Sequence, residues 1–382
     1  MFSTRLPRAR WTVALAVLGV AAWTAWWVVR DWSASGISWH YFADGGRLLV
    51  GPSGLHVYAH HPELQTGPLS LAVAAALRVL PAGTAETVAL IAMAAIGPLL
   101  LVALAPLVRG PRPARRLLLA ALVLAPAWTV LAVRWGHLDD VLAMAAAVGA
   151  IRALRAGRPL LTGLALAVAV GFKPWAVGFL PLALALPTAG WADALGAAVL
   201  GIVIAWMPFV VADRATLEAM QPDVALVRSS GLHTLGVRGT VVPAWGRTAQ
   251  LVAAPVAAAF AALTGRWPGV LLVAVAVRLA LDPQDNAYYV GSAALAAAVF
   301  DLVGTRWTIP WTTLVTVLVL WQPFVQDYAH RLTTTSGLTH WWFAHPGTVG
   351  AVHLAWCVAV VVLVFATSRR PAPAASSAAQ AD

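Results

Sequence analysis

The chain has 382 residues, of which 60% are hydrophobic and 10% charged, with a formal charge of +10 and one cysteine. Repeated apolar runs of roughly 18 residues or more exclude a soluble globular protein, and no ladder of about ten-residue alternating segments suggests an outer-membrane barrel. The arginines sit in short links between apolar runs, the pattern of cytoplasmic loops, so the basic balance reads as membrane orientation and no nucleic-acid partner is expected.

These features predict an all-α, polytopic transmembrane helix bundle. Residues 11–29 form the first span, preceded by Arg5, Arg8 and Arg10 on the inner side. That apolar stretch is too long for a signal peptide, although Ser33-Ala34-Ser35 faintly resembles a cleavage site. A retained first helix puts the polar stretch 31–66 outside. Residues 67–80 are too short to cross comfortably and are expected at the interface or partly re-entrant. The next span, 86–108, ends inside at Arg109, Arg112, Arg115 and Arg116.

A span over 117–133 leads out to Arg134-Trp135-Gly136-His137-Leu138-Asp139-Asp140, and one beginning at 141 returns to Arg152, Arg155 and Arg158. Two short segments, 159–171 and 175–187, are hinged at Phe172-Lys173-Pro174, because proline and lysine inside apolar sequence favour a turn. Residues 194–211 lead to a second long outer loop. Further spans alternate to the last run, 349–367, which holds Cys357, a small packing residue with no disulfide partner.

The total is about twelve crossings with both ends inside, in a multi-pass plasma-membrane protein. Residues 1–367 form one transmembrane domain, with 31–84 as a first outer loop carrying interfacial helices and 212–248 as the second. Residues 368–382, rich in Ala, Ser and Pro, are read as a disordered cytoplasmic tail. Most tryptophans near the outer surface are interface anchors.

Arginine therefore dominates inside, while nearly all Asp, Glu and His fall outside. Four outer segments carry the candidates: Asp31, His40, Asp44, Arg47, His60 and His61; His137, Asp139 and Asp140; Lys173; and Arg228, His233 and Arg238. Carboxylates can act as general base and Lys or Arg can hold a phosphate. Each has a plainer reading. Asp31 can be a solvated helix end, Asp44 can simply pair with Arg47, and one of Asp139 and Asp140 can cap the following helix. His60-His61 is weak as a metal site, because adjacent residues rarely ligate one ion.

The first loop, with SWHYFADGGRLLVGPSGLHVY, and the later GHLDDVLAMAAAVGAIRALRAGRPLLTGLALAVAVGFKPWAVGFLPLALAL carry a resemblance. In order and sidedness they resemble the membrane glycosyltransferases of the C-type fold, and within them the bacterial polyprenol-phosphate-mannose-dependent branch. The likeness covers the first half of the chain in motifs and the second half in topology only. It implies an acid in the first outer loop that deprotonates an acceptor hydroxyl, a sugar donated from a polyprenyl phosphate, and inversion at the anomeric carbon. Ser38 stands where the branch has the Asp that opens the aromatic helix.

The expected function is transfer of a hexose, mannose first, or a pentose to an extracytoplasmic glycolipid or glycan. Asp44 is the first choice as base, then Asp31 and Asp139 or Asp140. Lys173, Arg228 and Arg238 would bind the donor phosphate, and His40, His60, His61, His137, His233, Arg47 and Trp39 would line the substrate site. No cofactor is required by the spacing; a divalent cation between Asp44 and Asp139 stays open. Two rivals remain: a transporter or lipid flippase, favoured by the Lys173-Pro174 break and Arg278, and a non-catalytic relative that has lost its acid at Ser38.

Overall fold

In lipid, a backbone must satisfy its own hydrogen bonds, and a chain this apolar does so by winding into helices. The computed structural model describes residues 6–219, 223–320 and 337–367. Among the described residues every regular element is helical, and the β pairing is limited to an isolated bridge between Ala225 and Val241. Residues 321–336, and the tail 368–382 expected to be disordered, lie outside the described residues.

The helices are α1 (Leu6–Trp32), α2 (Trp39–Leu49), α3 (Val57–His60), α4 (Pro68–Leu77), α5 (Ala82–Leu104), α6 (Pro113–Thr129), α7 (Leu138–Arg155), α8 (Pro159–Phe172) and α9 (Trp191–Ala212). There follow α10 (Ala215–Ala219), α11 (Gly231–Thr234), α12 (Ala244–Leu263), α13 (Val270–Ala280), α14 (Tyr289–Val299), α15 (Trp311–Leu320), α16 (Gly337–Ala344) and α17 (Pro346–Ala366). Between α8 and α9 the chain winds as a tight 3₁₀ helix over Pro174–Ala185.

Among the described residues, five helices are long and apolar enough to cross a membrane: Ala82–Leu107, Pro113–Arg134, Thr188–Ala212, Ala244–Leu263 and Pro346–Ala366. Several other segments expected to cross form shorter helices. The 14 residues of α8 reach about 21 Å at 1.5 Å per residue, against a hydrocarbon core of about 30 Å. The 67–80 segment, which was not expected to cross, forms the ten-residue α4.

The bundle has a packed middle and a lipid-like rim. In Pro113–Arg134, 72% of the apolar window is buried, whereas in Thr188–Ala212 the figure is 22%, with Val199, Leu200, Ile204 and Val211 facing out. Small residues let α9 lie close on α8: a side chain at Gly163 would strike the Ala194 carbonyl, and one at Gly201 would strike Ala167. Two π-helical turns interrupt the central pair, Val130–Arg134 at the end of α6 and Phe300–Gly304 at the end of α14. Such turns free backbone groups and re-aim side chains, and they are frequent at functional sites.

Three joints place the polar groups at one end of the bundle. The turn at residues 36–38 donates its N–H groups to the carbonyls of Val133, Arg134 and Trp135 at 2.9, 3.1 and 2.7 Å, satisfying orphan carbonyls at a helix C-terminus. Gly136 then turns with φ +63°, and a side chain there would meet Leu90 and the Gly36 backbone. The third joint is at the hinge expected around Lys173. Here α8 ends at Phe172, Lys173 is extended at φ −141° and ψ 116°, and Pro174 opens the next segment. The freed Phe172 carbonyl accepts from Gly67 N at 2.9 Å and Ser70 Oγ at 3.0 Å, which docks the start of α4 on the hinge.

Candidate functional site

Those joints converge on a buried polar cluster. The first turn of α7 contributes Asp139 and Asp140, the turn before it His137, the α8 hinge Lys173 and Trp175, and α13 with its link to α14 contributes Arg278, Asp282, Tyr288 and Tyr289. The carboxylates of Asp139 and Asp140 are 1% and 2% exposed, so their charges need partners within the protein.

The two acids are used differently. Asp139 Oδ1 accepts from the Asp140 backbone N–H at 2.8 Å and faces His137 Nδ1 at 3.3 Å, while its Oδ2 takes the Lys173 ammonium in a short ion pair. Both oxygens are committed; the N-cap position of α7 is His137, which makes no side-chain cap bond. Asp140 Oδ1 accepts from Trp175 Nε1 at 3.1 Å. Its Oδ2 lies 3.3 Å from His137 Nδ1 and 3.4 Å from Lys173 Nζ as charge contacts, yet receives no directed hydrogen bond. It is the less committed buried carboxylate oxygen of the two acids.

Aromatic faces surround this group. His137 stacks on Tyr288 at 3.6 Å between ring centroids, and Trp135 lies 5.2 Å from the same tyrosine. Arg278 is clamped between Trp175 and Tyr289, its guanidinium 4.8 and 4.4 Å from the two ring centres, and pairs with Asp282 at 3.2 Å. Burial alone would lower the His137 pKa. The nearby carboxylates of Asp139 and Asp140 outweigh it and raise the pKa above the ordinary histidine value. One nitrogen of His137 and one oxygen of each acid lie within 4.8 Å of one another, the spacing of a metal cluster. The Lys173 ammonium already joins both carboxylates, so an added cation would have to displace the protein's own.

Four of the residues expected from sequence therefore meet: His137, Asp139, Asp140 and Lys173. Trp39 is buried beside them, next to Phe42, which approaches His137 edge-on at 6.1 Å. Ser38 is also buried there. Asp31 is fully buried near Thr129 and Arg134. The first-choice base, Asp44, is 58% exposed and pairs with Arg47 at 3.2 Å; His40 is likewise exposed. Asp44 belongs to neither of the two His/Asp groups whose ligand atoms converge, so it does not bridge a cation with Asp139 there.

His60 stacks on His56, and His61 pairs with Glu63 at 3.3 Å. Arg228 is exposed, and Arg238 is spent on the His233 carbonyl at 2.7 Å. The loop bearing His233 docks beside the site: Leu232 N donates to Asp282 O and Val227 N to Pro283 O. Trp175, Asp282, Tyr288 and Tyr289 were not among the sequence candidates. Arg278 carried a signal, a charge inside an apolar run with an acid four residues on.

The fold and site together define an all-helical membrane protein with a buried, aromatic-lined charge cluster at one end of its bundle. Comparison with protein-family models, curated proteins and solved structures finds no match to the chain.

Proposed function

We propose that the protein is a polyprenyl-phosphate-sugar-dependent glycosyltransferase of the C-type fold, moving mannose, another hexose or a pentose to a glycolipid or glycan. In this reading about twelve segments traverse the plasma membrane, both termini are cytoplasmic, and the cluster opens to the extracytoplasmic side. The observation that carries the reading is Asp140: a buried carboxylate with one uncommitted oxygen, beside two cations and several sugar-sized aromatic faces.

Asp140 Oδ2 takes the proton of the acceptor hydroxyl as its oxygen bonds to the anomeric carbon from the face opposite the leaving group. The anomeric C–O bond breaks with its electron pair, and polyprenyl phosphate departs with inversion. Lys173 and Arg278 offset the charge that grows on the departing phosphate, and Asp139 holds Lys173 in place. Arg228, exposed on the second long loop, is suited to donor entry more than to the reacting phosphate. Asp44 falls behind as base because it is solvated and already paired.

The test is transfer of radiolabelled sugar from polyprenyl-phosphate-mannose, and from a pentose donor, in membranes carrying the protein. Transfer above that of membranes without it is expected. No transfer from either donor would favour the transporter reading, which the buried charges at a broken helix also support. A sugar- or lipid-flux assay in proteoliposomes would then decide.

A further inference from the structure

A second convergent group lies away from the cluster, where the first long loop packs on the end of α9. The segment His56-Val57-Tyr58-Ala59-His60 is anchored by its inner face. Val57 and Tyr58 are buried, and the Tyr58 ring lies 5.2 Å from Trp206 and 5.1 Å from Phe209, with its hydroxyl donating to the Thr66 carbonyl at 3.0 Å. With that face fixed, residues four apart on the other face are held outward side by side. The rings of His56 and His60 stack at 5.6 Å with 16° between their planes.

Asp213, the residue after α9, faces them. Its Oδ1 accepts from Ala215 N at 3.0 Å, which fixes the carboxylate and turns Oδ2 toward His56 Nδ1 at 3.3 Å. That backbone bond and the neighbouring histidine also hold its pKa below the usual Asp value. One ligand atom from each of the three side chains lies within 4.8 Å of the others.

We propose that His56, His60 and Asp213 form a binding site for a zinc-class divalent ion. Two imidazole nitrogens and one carboxylate oxygen are a zinc donor set with a fourth position left for water, whereas calcium and magnesium prefer oxygen alone. Tetrahedral ligands at about 2.0 Å from the ion sit roughly 3.3 Å apart, a closure that half-exposed imidazoles reach by rotating. The Ala215 N–H bond supplies the outer support that ligating carboxylates need. In the His137 group an ammonium joins the acids, but here the partner of Asp213 is an imidazole, whose ring nitrogen can itself ligate the metal. The ion would staple together two segments 157 positions apart, His56 and Asp213. The site is independent of the glycosyltransferase reading.

The full chain, purified in nanodiscs and stripped with a chelator, is titrated with Zn²⁺ by calorimetry and with Co²⁺ by visible absorption. Wild type should bind an ion with the absorption bands of tetrahedral Co²⁺, and Zn²⁺ should raise its unfolding temperature. In His56→Ala/His60→Ala the affinity should fall by roughly tenfold or more and the thermal shift should vanish, while His137→Ala should bind as wild type does. Asp213→Asn should bind more weakly while keeping its bond to Ala215. The side chains of His56 and Asp213 are 48% and 29% exposed, so these variants should fold. No binding by wild type, or undiminished binding by the double variant, would overturn the proposal, as would loss confined to His137→Ala.

Discussion

Two buried polar clusters sit at opposite ends of the same central helices and use their charges in different ways. At one end Asp301, at the π turn ending α14, is fully buried, and every oxygen it has is answered: Oδ2 accepts from Thr313 N at 2.7 Å and Thr313 Oγ1 at 2.8 Å, and Oδ1 from Thr312 N at 3.4 Å. Its backbone carbonyl accepts from Arg116, which also reaches Thr305. This is a closed clamp that caps the start of α15. At the other end, beyond the π turn ending α6, the acids come from one helix and their cations from others, aromatic rings stand around them, and Asp140 keeps an oxygen without a directed bond. A carboxylate satisfied on all sides holds a fold together, while one held in place but left incomplete is available for chemistry.

That contrast can be broken variant by variant. Lys173→Met should have the largest effect on stability, about 3 to 5 kcal/mol by chemical or thermal unfolding in detergent, because it leaves Asp139 and Asp140 buried without their cation. Adding Asp139→Asn should recover part of that loss, and a purely additive double variant would contradict the pairing. Asp301→Ala should cost about 2 to 3 kcal/mol, since the Thr312 and Thr313 N–H groups lose their acceptor. Its damage should appear in stability, with the donor affinity of the surviving folded protein unchanged.

His137 gives a smaller, pH-dependent effect. Its folded pKa is raised, so the stability it contributes is fully present below the unfolded histidine pKa of about 6.5 and is lost as pH rises through the folded value. Wild type should therefore lose unfolding temperature over that window relative to His137→Gln; parallel profiles would remove the charge contacts from the account. The smallest effect belongs to Asp44→Asn, whose exposed pair with Arg47 is worth about 0.3 to 0.5 kcal/mol at most.

The hinge was legible in the sequence because Lys173 and Pro174 are both costly inside an apolar run, and the helix has to end there. Asp139-Asp140 stood out for the same reason, as two acids where a cap needs one. The exposed placement of Asp44 was not legible, for a geometrical reason. The spacing of α2 shows that it is amphipathic but not which neighbour covers it. In the structure Trp39, Phe42, Gly45 and Gly46 face inward, with Gly46 against the α4 backbone, so residues 40, 44 and 47 fall on the open side.

The partners supplied by the α13–α14 link were not legible. Asp282, Tyr288 and Tyr289 look like ordinary loop residues until α13 and α14 bring them beside α7, more than 140 positions earlier in the chain. The number of crossings was also hard to read, because short helices such as α4, α8 and the 3₁₀ segment are as apolar as full spans and differ from them only in length.

The most direct test of where the chemistry sits is a side-by-side measurement of sugar transfer by wild type, Asp140→Asn and Asp44→Asn, each checked for folding by its unfolding temperature. With Asp140 as the base, Asp140→Asn should lose on the order of 100-fold or more in rate, the usual contribution of a positioned general base, while Asp44→Asn stays within about twofold of wild type. A folded Asp140→Asn that transfers sugar at the wild-type rate, or an Asp44→Asn that does not, would contradict the account.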